Sequence, residues 1–137
     1  MIFSQSCQYA IKSCIYLAIK KDKTDVGEIA KFINTPIPFT SKILQKLAKE
    51  NIISSAKGRL GGFYLNEHQY ENLTIKNIYT SIDGERMLNE CVLGIKKCNN
   101  LKPCPIHHLA ASIKSQLNEI FLQKIKDIKD VGKIEFN

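Results

Sequence analysis

Apolar residues recur at helical spacing in three segments of the first half of the chain, residues 5–20, 26–33 and 38–51. Asp25 lies directly before the second segment and is a suitable N-cap for it. The sequence Asn34-Thr35-Pro36 predicts a break between the second and third segments. This part of the chain is therefore expected to form three helices.

The third helix has two unlike faces. Ile43, Leu44 and Leu47 would face the core, which leaves an outer face that is polar and basic. A helix of this kind after a tight connection is typical of a helix-turn-helix motif, whose second helix enters the major groove of DNA. A solvent-exposed helix in a bundle is the alternative. The candidate DNA-binding residues on this face are Thr40, Ser41, Lys42, Gln45, Lys46 and Lys49.

The segment after the third helix favours DNA binding. Residues 52–56 and 63–65 have the composition of short strands, and the glycine-rich turn at 57–62 joins them. A β-hairpin in this position is a wing, and Lys57 and Arg59 at its tip would contact phosphates or the minor groove. A nucleotide-binding loop is disfavoured, because such loops lead from a strand into a helix and end in Gly-Lys-Ser or Gly-Lys-Thr.

Two further helices are predicted in the second half of the chain. The first covers residues 73–82, with Asn72 or Thr74 as its N-cap. The second covers residues 105–130 with no Gly or Pro after Pro105, a length of about 39 Å. Its apolar stripe is wider than one small domain needs to cover, which favours dimerisation over packing within its own subunit. The dimer-interface candidates are Leu109, Ile113, Leu117, Ile120 and Phe121.

The elements predict a mainly α-helical fold with a small β-hairpin. Residues 1–83 would form a winged helix-turn-helix DNA-binding domain, 84–104 a cysteine loop, and 105–137 a dimerisation helix and tail. The 44% of apolar and 24% of charged residues exclude a disordered or collagen-like chain. No apolar run is long enough to span a membrane, so we expect a cytoplasmic protein without a membrane partner. The net charge of +7 favours a polyanionic partner such as double-stranded DNA.

The five cysteines fall into two groups. An odd number without a secretion signal argues against a disulfide framework and favours metal or redox chemistry. Cys7 and Cys14 are seven residues apart, on one face of the first helix, where cysteines are usually small buried hydrophobic residues. Cys91, Cys98 and Cys104 lie within fourteen residues and are followed by His107.

The second group points to a cluster-binding loop. Its intervals of six and five residues are wider than those between paired ligands of structural zinc sites, and they suit a polynuclear iron–sulfur cluster. The nearby Lys96, Lys97 and Lys102 would offset the negative charge of the thiolates. Four alternatives remain at this point: a zinc site of three Cys and one His, a metal-free thiol–disulfide switch, chance clustering of the cysteines, and a Cys–His nucleophile. The last lacks an orienting third group.

The chain resembles the Rrf2 family of bacterial winged-helix transcriptional regulators, the group of IscR, NsrR and CymR. The resemblance covers nearly the whole chain. It lies in the motifs Tyr9-Ala10-Ile11, Ile43-Leu44-Gln45-Lys46-Leu47, Ser54-Ser55-Ala56-Lys57-Gly58 and Gly61-Gly62-Phe63, together with the three-cysteine loop and His107.

The resemblance implies a homodimeric transcription factor, not an enzyme, whose DNA affinity depends on an iron–sulfur cluster. Cys91, Cys98 and Cys104 match the cluster cysteines, and His107 matches the histidine that completes a 2Fe-2S site in IscR-like members. A 2Fe-2S cluster is therefore expected rather than 4Fe-4S, with zinc as the alternative. The first cysteine interval is six residues here against five in the best-known members. An iron–sulfur electron carrier without a DNA function is the rival from another class.

Overall fold

The computed structural model describes residues 2–95 and 100–128. In these two ranges the chain forms eight helices and one two-stranded antiparallel sheet, which confirms the predicted mainly α-helical fold with a β-hairpin. No helix in either range is long and apolar enough to cross a membrane. In chain order the elements are α1 (Gln5–Lys20), α2 (Val26–Phe32), α3 (Ile37–Lys49), β1 (Ser54–Ala56), β2 (Gly62–Tyr64), α4 (Glu67–Asn72), α5 (Ile75–Asp83), α6 (Arg86–Asn89), α7 (His107–Phe121) and α8 (Ile125–Ile128).

The helix α1 is the centre of the fold and contacts α2, α3, α5, α8 and the hairpin. It begins after Ser4, whose hydroxyl accepts a hydrogen bond from the backbone N–H of Cys7, and it ends at Lys21 in the left-handed conformation. Cys7 and Cys14 are completely buried on its core face, as predicted. They serve there as small apolar residues.

The helices α2 and α3 form the predicted helix-turn-helix. Asp25 caps α2, since its Oδ1 accepts a hydrogen bond from the N–H of Glu28 at 2.6 Å. The chain then turns through Asn34, which has a φ of 53°, and α3 starts immediately after Pro36. The side chains that α3 buries against α1 and α2 fix its rotation: Thr40, Ile43, Leu44 and Leu47.

The β-hairpin is anchored to the loop between α1 and α2. Ser54 pairs with Tyr64 and Ala56 with Gly62, while Thr24 and Phe63 exchange two backbone hydrogen bonds of 2.9 Å. Gly62 has a φ of 145°, and a Cβ atom there would lie 2.6 Å from the carbonyl oxygen of Thr24. Only glycine lets the second strand approach this loop so closely.

The prediction of one uninterrupted helix over 105–130 is wrong. Helix α7 ends at Phe121, so its 15 residues span about 22 Å. Phe121 is fully buried, with its ring 4.8 Å from that of Tyr79, and this contact draws the end of α7 onto the winged domain. The following segment then pairs with the residues before α5: Ile75 donates to Gln123 and Ile125 donates to Leu73. Because these backbone hydrogen bonds hold the chain beside residues 73–75, α7 cannot continue as a straight helix beyond Phe121.

Two short helices were not predicted. Helix α4 starts with a capping box in which Asn66 and Gln69 bond to each other's backbone N–H groups, a pattern that is visible in the sequence. Helix α6 lies inside the stretch 84–104, which was expected to be irregular. Helix α5 has Thr74 as its N-cap, one of the two predicted candidates.

Candidate functional site

The outer face of α3 is polar and basic. Lys42, Gln45, Lys46 and Lys49 are exposed and Ser41 is half-buried, because the residues between them are held in the core. The amide of Gln45 donates a hydrogen bond of 3.0 Å to the hydroxyl of Ser41. The face thus offers hydrogen-bonding groups beside three cations, as a surface that binds DNA requires.

Thr40 does not belong to this face. It is 1% exposed, and its hydroxyl donates a hydrogen bond of 3.1 Å to the carbonyl oxygen of Pro36. It lies in the same row as Leu44 and Leu47, which pack into the core. The prediction that Thr40 contacts DNA is therefore wrong, because the inward row of Leu44 and Leu47 continues back by one turn to Thr40.

An apolar group at the start of α3 was missed by the sequence analysis. Pro36, Ile37, Pro38 and Phe39 are all exposed, and Phe39 keeps 62% of its surface accessible. The signal was present in the sequence as four consecutive apolar residues directly before the polar outer face.

The tip of the hairpin carries the two predicted cations. Lys57 and Arg59 are exposed, and Gly58 takes a φ of 98° to close the turn, in which the N–H of Gly61 donates to the carbonyl oxygen of Gly58. Both cations therefore project into solvent from the same glycine-rich turn. There they can contact a polyanion without the burial of other side chains.

Two of the predicted metal ligands meet. The thiols of Cys91 and Cys104 are hydrogen-bonded to each other, with Cys91 8% exposed and Cys104 half-buried. The segment after Cys91 turns back on itself at Gly94, which has a φ of 71° and donates its N–H to the carbonyl oxygen of Cys91 at 2.8 Å. This turn directs the N–H groups of Leu93 and Ile95 at the Cys91 sulfur.

These contacts lower the pKa of the Cys91 thiol. The hydrogen bond from the N–H of Leu93 has the largest effect, and the N–H of Ile95, the Cys104 thiol and the cation of Lys114 act in the same direction. Burial opposes them. The thiolate form is the form that binds metals, so the loop favours the state that a ligand needs.

His107 does not lie with the two thiols. It is 6% exposed, its Nε2 is 2.7 Å from the side-chain oxygen of Asn100, and its backbone N–H donates to the carbonyl oxygen of Cys104. Within 2–95 and 100–128, no three His, Cys, Asp or Glu side chains are arranged to hold a metal ion. Cys98, Lys96 and Lys97 lie outside the described residues.

The thiols in α1 differ from those in the loop. Burial raises the pKa of Cys7 to about 12, and the nearby carboxylate of Asp83 adds to this shift. Burial also raises the pKa of Cys14. Both thiols therefore stay protonated and unreactive at neutral pH.

The predicted dimer-interface residues divide into two groups. Leu109, Ile113 and Ile120 on α7 are 72%, 60% and 43% exposed, whereas Leu117 is half-buried against the core. Phe121 is fully buried inside its own subunit, so its assignment to a dimer interface is wrong. The exposed residues continue into a groove of about 400 Å³, whose lining includes Met87, Cys91, Val92, Ile106, Leu109, Ile113 and Leu117.

Comparison with known proteins agrees with this architecture. Residues 3–130 match the model of the Rrf2 family, described as iron-dependent transcriptional regulators. A protein of Aquifex aeolicus named as an HTH-type transcriptional regulator is 36% identical over 138 aligned positions, 98% of this chain and 94% of that protein. The structure is similar to that of CymR, the global cysteine regulator of B. subtilis, with a TM-score of 0.76, 18% identity and coverage of 97% and 99%.

A second solved structure, that of T. potens IscR, has a TM-score of 0.72 and 15% identity, with 96% of this chain and 89% of that chain covered. At these identities the two structures show a shared fold. The family match and the Aquifex relative confirm the expectation of a regulator rather than an enzyme. The chain belongs to the Rrf2 family of DNA-binding transcriptional regulators.

Proposed function

We propose that the chain acts in the cytoplasm as a homodimer whose affinity for DNA is controlled by an iron–sulfur cluster. Cys91, Cys98, Cys104 and His107 would hold the cluster in each subunit. The observation that carries the proposal is the contact between the Cys91 and Cys104 thiols beside backbone N–H donors. The family description as iron-dependent regulators supports it.

The DNA-binding part of the proposal assigns α3 to the major groove. Ser41, Lys42 and Gln45 would lie near base edges, and the remaining cations would contact phosphates or the minor groove. In a dimer, the two α3 helices would have to match half-sites about one DNA turn apart. The cations assigned to phosphates or the minor groove are Lys46, Lys49, Lys57 and Arg59.

The chemistry of the loop fits an iron–sulfur cluster. Thiolates are the usual ligands of such clusters, and N–H groups directed at sulfur, as at Cys91, stabilise their negative charge. His107 is three residues from Cys104, and its ring would exchange the contact with Asn100 for the metal. When bound, the cluster would supply sensitivity to redox state, nitric oxide or iron supply.

The loop lies beside the apolar surface through which two subunits would pair. Lys114 of α7 donates a hydrogen bond to the carbonyl oxygen of Glu90, next to Cys91. Cys91 also lines the apolar groove, together with the exposed residues Leu109 and Ile113 of α7. A rearrangement of residues 91–107 would therefore change the surface through which two subunits pair, and with it the spacing of the α3 helices.

The test is metal analysis of protein purified without oxygen. We expect iron and acid-labile sulfide in equal amounts and a visible thiolate-to-iron absorption band. Cys91→Ala should abolish both, while the control Cys14→Ala, which removes a thiol from the winged domain, should retain them. His107→Ala would test the fourth ligand by a shift of the band. DNA affinity of the loaded and metal-free protein should then differ.

The same thiol contact favours a second candidate, a metal-free switch. Because the two thiols interact, we propose that Cys91 and Cys104 could be oxidised to a disulfide, losing two protons and two electrons to an oxidant such as a peroxide. Absence of metal after anaerobic reconstitution, with a reversible Cys91–Cys104 disulfide by mass spectrometry, would select this candidate. Zinc without sulfide would instead select a zinc-bound regulator.

A further inference from the structure

The start of α3 has a surface that the polar contacts above do not use. Pro36, Ile37, Pro38 and Phe39 form an unbroken run of four exposed apolar residues, referred to below as the apolar tip. Ile37 is 53% and Phe39 62% exposed. Runs of this length on the surface of a soluble domain are unfavourable unless they contact a partner.

The fold itself forces the exposure of Phe39. Pro36 ends the turn, and the inward-facing Thr40 bonds to the carbonyl oxygen of Pro36, which fixes the rotation of the first helical turn. Phe39 lies one turn before Ile43, at the edge of the buried face that Thr40, Leu44 and Leu47 centre, and its ring is left 62% exposed on the flank of α3. Its ring lines a groove of about 540 Å³ between α3 and α1, and most of the ring remains exposed to solvent.

The neighbours of Phe39 indicate what the apolar tip contacts. Lys42 and Lys46 follow it by three and seven residues, so the ring and the two cations share one side of the helix and border the same groove. The cations complement the negative charge of DNA, and the tip is continuous with the face of α3 that is proposed to contact base edges. In helix-turn-helix proteins it is the N-terminal residues of this helix that reach base edges.

One apolar group is available in the major groove, the C5-methyl group of thymine. We propose that Phe39 contacts the methyl group of a thymine in each half-site and so selects DNA sequences with thymine at that position. The proposal rests on the assignment of α3 to the major groove.

The experiment removes a single methyl group from the DNA. Duplexes are first selected by the full-length protein from a random library, and each thymine of the selected site is then replaced by deoxyuridine, which lacks only the C5-methyl group. Affinity is measured by fluorescence anisotropy. For wild type we expect about fourfold weaker binding when the contacted thymine of one half-site is replaced, and about fifteenfold when both are replaced.

Three variants test whether the preference for thymine depends on the Phe39 ring. Phe39→Ala should bind the thymine and deoxyuridine duplexes equally, whereas Phe39→Leu should retain part of the preference. Lys42→Ala should weaken binding to both duplexes by the same factor and keep the preference for thymine. Circular dichroism should show unchanged folding for Phe39→Ala, because the ring is exposed.

Three results would overturn the proposal. If Phe39→Ala keeps the full preference for thymine, or if no thymine matters to the wild type, the ring does not read a methyl group and its role lies with sugar–phosphate or with another protein. These results leave the assignment of α3 intact. If Lys42→Ala and Lys46→Ala change neither affinity nor its salt dependence, the assignment of α3 fails, and the proposal for Phe39 fails with it.

Discussion

The winged domain and the segment from α6 to α7 differ in how far their apolar side chains are buried. In the winged domain, Leu17, Leu44 and Ile78 are 1% exposed or less, because α3 and α5 both pack on α1. On α7, Leu109 and Ile113 are 72% and 60% exposed. The winged domain buries its apolar side chains within the subunit. Helix α7 instead leaves an apolar surface exposed, of the kind that a second subunit covers.

The two regions also differ in their thiols. Cys7 and Cys14 are enclosed by the core of the winged domain, where burial keeps them protonated. Cys91 lies at the edge of the exposed apolar groove, where N–H groups favour its thiolate. The thiol with the lowered pKa thus lies beside the exposed apolar groove, whereas the thiols with raised pKa values lie in the core of the winged domain.

The largest effect is expected at Phe121, where α7 crosses from one region to the other. Phe121→Ala should lower the free energy of unfolding by about 3–5 kcal/mol, because it empties a fully buried site beside Phe3 and Tyr79. Denaturant unfolding followed by circular dichroism measures the change. A loss below about 1 kcal/mol would contradict the placement of Phe121 in the winged core.

Leu109→Asp, on the same helix, is the matched counterpart. Leu109 is exposed within its subunit, so this change should leave subunit folding intact but separate the dimer, as measured by light scattering. Ile19→Asp is the control, since Ile19 is an exposed residue of α1, far from the groove in the sequence. Equal oligomeric states for all three proteins would remove α7 from the dimer interface.

Local signals in the sequence predict the winged domain well. The N-cap Asp25, the break before Pro36 and the alternation of faces in α3 act over a few residues, so reading the chain locally is sufficient. The end of α7 could not be predicted in this way. It depends on Phe121 meeting Tyr79 and on backbone pairing with residues 73–75, contacts between segments about fifty residues apart.

The candidate site is predictable to a similar degree. The cations of α3 and the wing are exposed as expected, because polar side chains at outward positions need no partner. Thr40 was misassigned, since a threonine can satisfy its hydroxyl on its own helix and face the core. The pairing of His107 with Asn100 also gave no signal in the sequence, because it depends on how the loop folds back.

The difference between the thiols predicts selective alkylation. In metal-free protein, Cys91 should react with iodoacetamide at neutral pH about a hundredfold faster than Cys7 or Cys14, because its pKa is lowered and theirs are raised. The Cys91 rate should fall only as the pH drops through its lowered pKa. Peptide mass spectrometry measures each site separately.

Denatured protein serves as the control, since unfolding should make the rates at all of these cysteines similar. Rapid labelling of Cys14 in the native state would show that the core of the winged domain opens, and the contrast between the two regions would not hold.

The smallest effect is expected at the wing. Lys57→Ala combined with Arg59→Ala should weaken DNA binding by the loss of two phosphate contacts and reduce the slope of log K against log salt by about 1.8. Because both side chains are exposed and form no part of the core, stability should change little. Lys12→Ala with Lys76→Ala removes the same charge from α1 and α5, away from the wing, and so separates a local contact from a general loss of charge. An unchanged slope in the wing variant would place the wing away from DNA, and the winged domain would then bind through α3 alone.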